Sequence, residues 1–204
     1  MEILVMNYTD WIGFHLAEAL LNEGYTVHGI KGENGNENLE GFLVRNSNFH
    51  VQRKIEKRNY LLVICPGNNE KLSELDAAQT LFINTVDIDQ ESGILLINVP
   101  FLYGEWMPMD EEGFYVTNQK VAFDSEILKN EAIYIGDFIK LFLQWIGKTT
   151  DLEEIRMKLG KNITNQAVKL EKTFFVDENV PIGDKFEKVI GHYKKYHIFY
   201  PQVN

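Results

Sequence analysis

The apolar positions fall into two kinds of run, and the kinds alternate along the chain. Glu2–Met6 (EILVM) is short, nearly continuous and partly β-branched, and the polar turn Asn7-Tyr8-Thr9-Asp10 follows it. Ile12, Leu16, Ala19 and Leu20 then recur at helical spacing and predict one apolar stripe on a helix. Gly24 stands just past that stripe, where a helix-terminating glycine is expected. Tyr25–Ile30 (YTVHGI) predicts a second strand, completing a β-α-β unit. Parallel strands need such a crossover, and it is right-handed in nearly all cases.

The pattern continues in the same vein. Residues 31–41 (KGENGNENLEG) are rich in glycine and asparagine and predict a loop. Phe49–Gln52 predicts a third strand, and Tyr60–Cys65 (YLLVIC) and Ile94–Val99 (ILLINV) have the continuous apolar character of strands buried on both faces. Leu72, Leu75, Ala78, Phe82 and Val86 predict a helix over 72–88. Asp137 is expected to cap a helix over Phe138–Ile146, and Thr150 or Asp151 another with Glu153 and Glu154 in its first turn. Strands interleaved with helices predict an α/β fold built on a doubly wound parallel sheet. Residues 1–148 are expected to form this domain, with 149–204 as a helical, aromatic segment packed on it.

Composition narrows the function classes. Of 204 residues, 30 are acidic and 20 basic, for a net charge of −10, which argues against nucleic acid or an anionic membrane as partner. Arg53, Lys54, Lys57 and Arg58 form a local basic cluster, expected to be an exposed face or a self-association patch. A single cysteine, Cys65, excludes an internal disulfide framework and fits a reducing compartment. There is no secretory leader pattern and no apolar run of membrane-spanning length, so the expected location is cytoplasmic. His15, His28, His50, His192 and His197 lack metal-binding spacing, and no metal site is expected. Tyr193, Tyr196, Phe199 and Tyr200 make an aromatic C-terminus, expected to cap an open sheet edge or, alternatively, to form a dimer contact.

Three segments carry a family resemblance. Residues 1–30, Asn98-Val99-Pro100-Phe101-Leu102-Tyr103-Gly104, and Ala132-Ile133-Tyr134-Ile135-Gly136-Asp137-Phe138 resemble, in order, landmarks of the extended short-chain dehydrogenase/reductase family, the NAD(P)-dependent nucleotide-sugar epimerases and dehydratases. The resemblance implies an NAD(P)-binding Rossmann-type fold. It also implies a cofactor crevice at Asn7, Asp10, Trp11, Ile12, Gly13, Lys31, Cys65, Pro66 and Gly67. Within that frame Met6, Asn7 and Asp10 stand where the family has Thr, Gly and Gly, and only Gly13 is kept. Asn7 tolerates positive φ, so the turn can form, but Asp10 sets a carboxylate where phosphates would sit. Trp11 beside it could cover the crevice. Lys31 replaces the family's acidic residue after the second strand, so any cofactor would be NADP rather than NAD.

The family's catalytic tyrosine and lysine are four residues apart on the helix before the second landmark. Its spacing lands on Ser73 and Ala77, which cannot do that work, and Tyr115…Lys120 is five apart, on different faces if helical. The short gap after YLLVIC implies that one α-β unit is missing together with the catalytic Ser or Thr, and the stretch between Gly104 and Asp137 implies a reduced C-terminal lobe. No catalytic residue is assigned. The leading reading is a non-catalytic relative that binds a protein partner or small ligand, with no cofactor. Its rivals are an NADP-dependent reductase or epimerase using Tyr103 or Tyr115 as acid, and an oligomeric scaffold whose crevice Trp11 fills.

Overall fold

A computed structural model describes residues 1–33, 35–56, 58–67, 79–83, 94–99, 101–116, 119–146, 154–159, 172–176 and 182–202. The chain opens with β1 (Glu2–Met6), α1 (Trp11–Asn22) and β2 (Thr26–Ile30), as the apolar pattern requires. Next come a 3-10 turn (Glu37–Leu39), a short α2 (Glu40–Leu43), β3 (Phe49–Gln52), β4 (Leu62–Pro66), β5 (Thr80–Ile83) and β6 (Ile94–Asn98). Then follow β7 (Phe101–Tyr103), β8 (Gly113–Val116), β9 (Gln119–Ala122), α3 (Glu126–Glu131), β10 (Ala132–Tyr134) and α4 (Ile135–Trp145). The C-terminal part carries β11 (Glu154–Leu159), β12 (Lys172–Val176), α5 (Ile182–Tyr196) and a 3-10 turn (His197–Phe199).

Eight of the described strands form one sheet in the order β12-β11-β6-β5-β4-β1-β2-β3. Every pair in it is parallel. The order reverses between β1 and β4, which is where open α/β sheets form their ligand crevice. Side chains alternate between two apolar layers: Ile3, Val5, Leu62 and Ile64 face α1, while Leu4, Met6, Val63 and Cys65 face the other side with Tyr60 and Phe82. Helix α1 buries Trp11, Phe14, Leu16, Ala17, Leu20 and Leu21, a broader stripe than the sequence pattern implied.

The structure corrects several expectations. Residues 80–83 are a strand between β4 and β6, so the helix expected over 72–88 does not hold there, and the strand of the unit expected to be missing is present. Residues 154–159 are a strand rather than a helix start, and with β12 they extend the main sheet past the boundary expected at 148. Asp137 lies in the first turn of α4 rather than at its cap, which is Tyr134. Ser73, Ala77, Lys57, Thr150 and Asp151 lie outside the described residues.

Two features position the site. Gly13 of α1 meets the preceding turn so closely that a Cβ would lie 2.3 Å from the Asn7 carbonyl oxygen. On the other flank, α5 docks through Lys185 Nζ on Asp137 at 2.5 Å and through His192 Nδ1 against the Tyr200 hydroxyl at 2.8 Å. Tyr196 and Tyr200 gather around Trp106 and His192, and Tyr193 packs on Tyr200; these described ring partners lie outside the edge strands β3 and β12. His15 of α1 joins this flank, its Nε2 donating to the Glu105 carbonyl at 3.0 Å. Burial holds both His15 and His192 below the usual imidazole range. No described helix is long and apolar enough to cross a membrane.

Substituting Gly13→Ala should destabilise the fold by about 2 kcal/mol or more, because the contact is with backbone that cannot step aside; chemical denaturation will read it. A second prediction concerns pH. The unfolded histidines take up protons first, at about pH 6.5, while the folded ones resist. Stability is therefore fully present above that pH and is lost as pH falls through the lower folded values. The urea midpoint should fall between pH 7.5 and 5, and His15→Gln should lose less over the same interval.

Candidate functional site

The reversal point of the sheet is occupied by the β1–α1 turn. Asn7 takes φ +54° there, a conformation asparagine enters more readily than most residues. Its Nδ2 donates to the Pro66 carbonyl at 3.1 Å, tying the ends of β1 and β4 together. Asp10 is the N-cap of α1, and its carboxylate accepts from the Ile12 N–H at 3.0 Å. Burial pushes its carboxyl above the usual range, against the pull of the Ile12, Gly13 and Trp11 N–H groups. The orphan donors at a helix N-terminus attract an anion. Here the anion is part of the chain.

A loop closes over this turn. The Asn36 N–H donates to the Thr9 carbonyl at 2.8 Å. A Cβ on Gly35 would lie 1.9 Å from Thr9 Oγ1, and one on Gly32 would lie 3.0 Å from Asn7 Oδ1. Lys31 is turned to the chain's own acids: its Nζ sits 2.8 Å from Glu40 Oε2 and 3.8 Å from Glu37 Oε1. Glu40 also accepts from the Tyr8 hydroxyl at 2.5 Å, and that phenol is buried and held well above its usual range, chiefly by burial.

The remaining expected site residues divide. Trp11 is buried and half-buried Ile12 packs against the core, and the Trp11 ring lies close to Gly104. Pro66 and Gly67 stand at the end of β4, with Gly67 at φ +73° and its N–H donating to the Ile83 carbonyl at 3.0 Å. Cys65 faces the opposite apolar layer, fully buried, and burial alone pushes its thiol up to about 12. It is a core residue rather than part of the crevice lining. Asn7, Asp10, Gly13, Pro66 and the loop that follows Lys31 do come together.

Neither tyrosine considered as an acid stands free. Tyr103 is buried and stacked on Phe186, with centroids 4.7 Å apart. Tyr115 and Lys120 lie directly opposite each other on the β8–β9 hairpin, so the helical reading of that pair is replaced by cross-strand pairing. The Tyr115 hydroxyl donates to Asp110 at 2.7 Å, and Lys120 sits 2.8 Å from the same carboxylate.

The sequence reading missed one polar cluster. Tyr134, at the end of β10, donates to both Glu105 oxygens at 2.9 and 3.0 Å. Lys188 of α5 donates to the Tyr134 hydroxyl at 2.7 Å and sits 3.0 Å from Glu105 Oε1. The three residues are far apart in the chain, so no local spacing could reveal them. Burial pushes the Tyr134 phenol up to about 12 although Lys188 pulls the other way, so it is a poor proton donor at neutral pH. The cluster clamps α5 to the body of the fold. Among the described residues, no group of three or more His, Cys, Asp or Glu is placed to hold a metal ion.

No family model and no curated protein matches the sequence. Solved structures do match the fold. The enzyme WbmG of Bordetella bronchiseptica, in complex with NAD, aligns with TM-score 0.60 at 10% identity over 97% of this chain and 95% of that one. UDP-glucose 4-epimerase of Bifidobacterium longum, in complex with NAD+ and UDP, aligns with TM-score 0.59 at 11% identity over 98% and 100%. dTDP-glucose 4,6-dehydratase of Bacillus anthracis, in complex with NAD, aligns with TM-score 0.58 at 10% identity over 98% of both chains. The parallel sheet, its reversal point and the β1–α1 crossover thus make this chain a Rossmann-type protein with the fold of the extended short-chain dehydrogenase/reductase enzymes.

Proposed function

We propose that this chain is a non-catalytic relative of the NAD(P)-binding epimerases and dehydratases, acting through a protein partner or small ligand rather than by hydride transfer. The Asp10 carboxylate on the α1 N-terminus carries this reading. A dinucleotide's pyrophosphate would need those same N–H groups, and it would meet the half-buried Asp10 carboxylate there. Gly35 packed on Thr9 and the Asn7–Pro66 bond narrow the approach further. Lys31, the cation expected to suit a 2′-phosphate, is engaged by Glu40.

The order of the strands adds support. With β5 in place, the segment leading into β6 is 84–93, NTVDIDQESG, which contains neither tyrosine nor lysine. That is the segment in which the resembled family carries its catalytic pair. Thr85 does follow β5 in the sequence, so a hydroxyl-bearing residue there is retained, contrary to the expected loss.

Titration with NADPH and with NADH, read by energy transfer from tryptophan, should give no saturable signal up to millimolar cofactor. Saturable binding at micromolar NADPH, lost in Lys31→Ala, would overturn the proposal in favour of a working NADP-dependent enzyme. A concentration-dependent mass in light scattering with no cofactor bound would identify the partner as a second copy. In the same protein Asp10→Ala should cost about 1 kcal/mol of stability and Asp10→Asn much less, as expected when the side chain serves as a helix cap.

A further inference from the structure

Asn36 joins three separate parts of the chain. Its backbone N–H donates to Thr9 inside the β1–α1 turn at 2.8 Å. Its Oδ1 accepts from the Asn38 N–H at 3.1 Å, starting the 3-10 turn Glu37–Leu39. Its Nδ2 donates to the Phe199 carbonyl at 2.6 Å, and Asn38 Nδ2 reaches the same oxygen at 3.4 Å. The loop that covers the turn is thereby fastened to the far end of the chain.

That far end is itself anchored. The Tyr200 side chain is buried; its hydroxyl pairs with His192 Nδ1 at 2.8 Å and accepts from the Trp106 N–H. Its ring lies 5.1 Å from that of Trp106. Trp106 holds φ +66°, a conformation L side chains rarely adopt and one that persists only when its surroundings fix it. The rings of Phe14, Phe42, His192 and Tyr200 do so. Contacts therefore run without a break from Thr9 through Asn36 and Phe199 to Tyr200, Trp106 and α5.

We propose that the C-terminal turn, residues 197–200, is a strap that holds residues 35–39 shut over the β1–α1 turn. Access to the reversal point of the sheet is then set by the position of the chain's own C-terminal segment. This rests on the reading of the turn as internally filled, and it adds what keeps the cover in place. Strap, loop and turn open together as one local unit rather than fraying separately.

Hydrogen–deuterium exchange on the full chain tests this with no cofactor present. The reporters are the amides of Tyr200 (bonded to His197), residue 36 (bonded to Thr9) and Asp10 (bonded to Asn7). Asn36→Asp keeps an acceptor for the Asn38 N–H but sets a carboxylate against the Phe199 carbonyl; it should speed exchange at Tyr200 roughly tenfold or more. Tyr200→Phe removes a hydroxyl bonded to His192 and Trp106, not to the loop; it should speed exchange at Asn36 and Asp10 to a similar extent. The central β1 amide of Val5 should stay unchanged in both. Acceleration confined to the substituted segment, no acceleration, or acceleration that includes Val5 would overturn the strap. Micromolar NADPH binding by the wild type would overturn the functional reading and leave the strap standing, so the two fail separately.

Discussion

The arrangement at the sheet's reversal point depends on how closely α1 approaches the end of β1. Gly13 permits that approach, since any Cβ there would run into the Asn7 carbonyl. Asn7 permits it from the other side by turning the chain through positive φ without a glycine. Once the helix starts this close to the strand, its first N–H groups point at the crevice and need acceptors. Asp10 supplies one from within the chain. The same geometry that makes this fold a phosphate binder elsewhere here yields a self-capped helix.

The neighbouring contacts follow from that. With the helix end answered internally, the loop after β2 can lie directly on the turn, which Gly32 and Gly35 make sterically possible. Lys31, at the head of the loop, finds Glu40 on the same side and shares it with the buried Tyr8 phenol. Farther out, Glu105, Tyr134 and Lys188 form a clamp in which each polar group completes the others. Each member keeps one partner if another is lost, so the cluster holds together through shared bonds. Its placement gives α5 one docked position, and the C-terminal turn inherits that position.

Much of the fold was legible locally. Glu2–Met6 and the apolar cores of β4 and β6 stand where the hydrophobic pattern put them, because a strand in the middle of a parallel sheet needs a nearly unbroken apolar run, and Phe49–Gln52 is also a strand, at the sheet edge with His50 and Val51 exposed. β5 was misread because Phe82 fits the helical spacing of Leu72, Leu75, Ala78 and Val86 as well as a short buried strand, and only pairing to both neighbours decides between them. β11 was misread for a different reason. Ile155, Met157 and Leu159 alternate with charged residues, a period of two, but the preceding acidic pair imitates the first turn of a helix. Cys65 was placed near the crevice by its position at a strand end, yet the side-chain alternation of β4 turns it to the opposite layer.

The sequence by itself determined the α/β class, the parallel order of the first strands, the need for Gly13 and the anionic character of the turn. The first two follow from the order of consecutive elements, the last two from residues within one or two helical turns of one another, where steric and capping rules act directly. The tertiary structure alone decided that Lys31 is spent on Glu40, that Asn7 bridges to Pro66, that Tyr134 meets Lys188 and that Asn36 holds Phe199. The last three partners are separated by 59, 54 and 163 positions. No periodicity spans such distances; they are fixed only when the packed sheet and its helices bring the segments together.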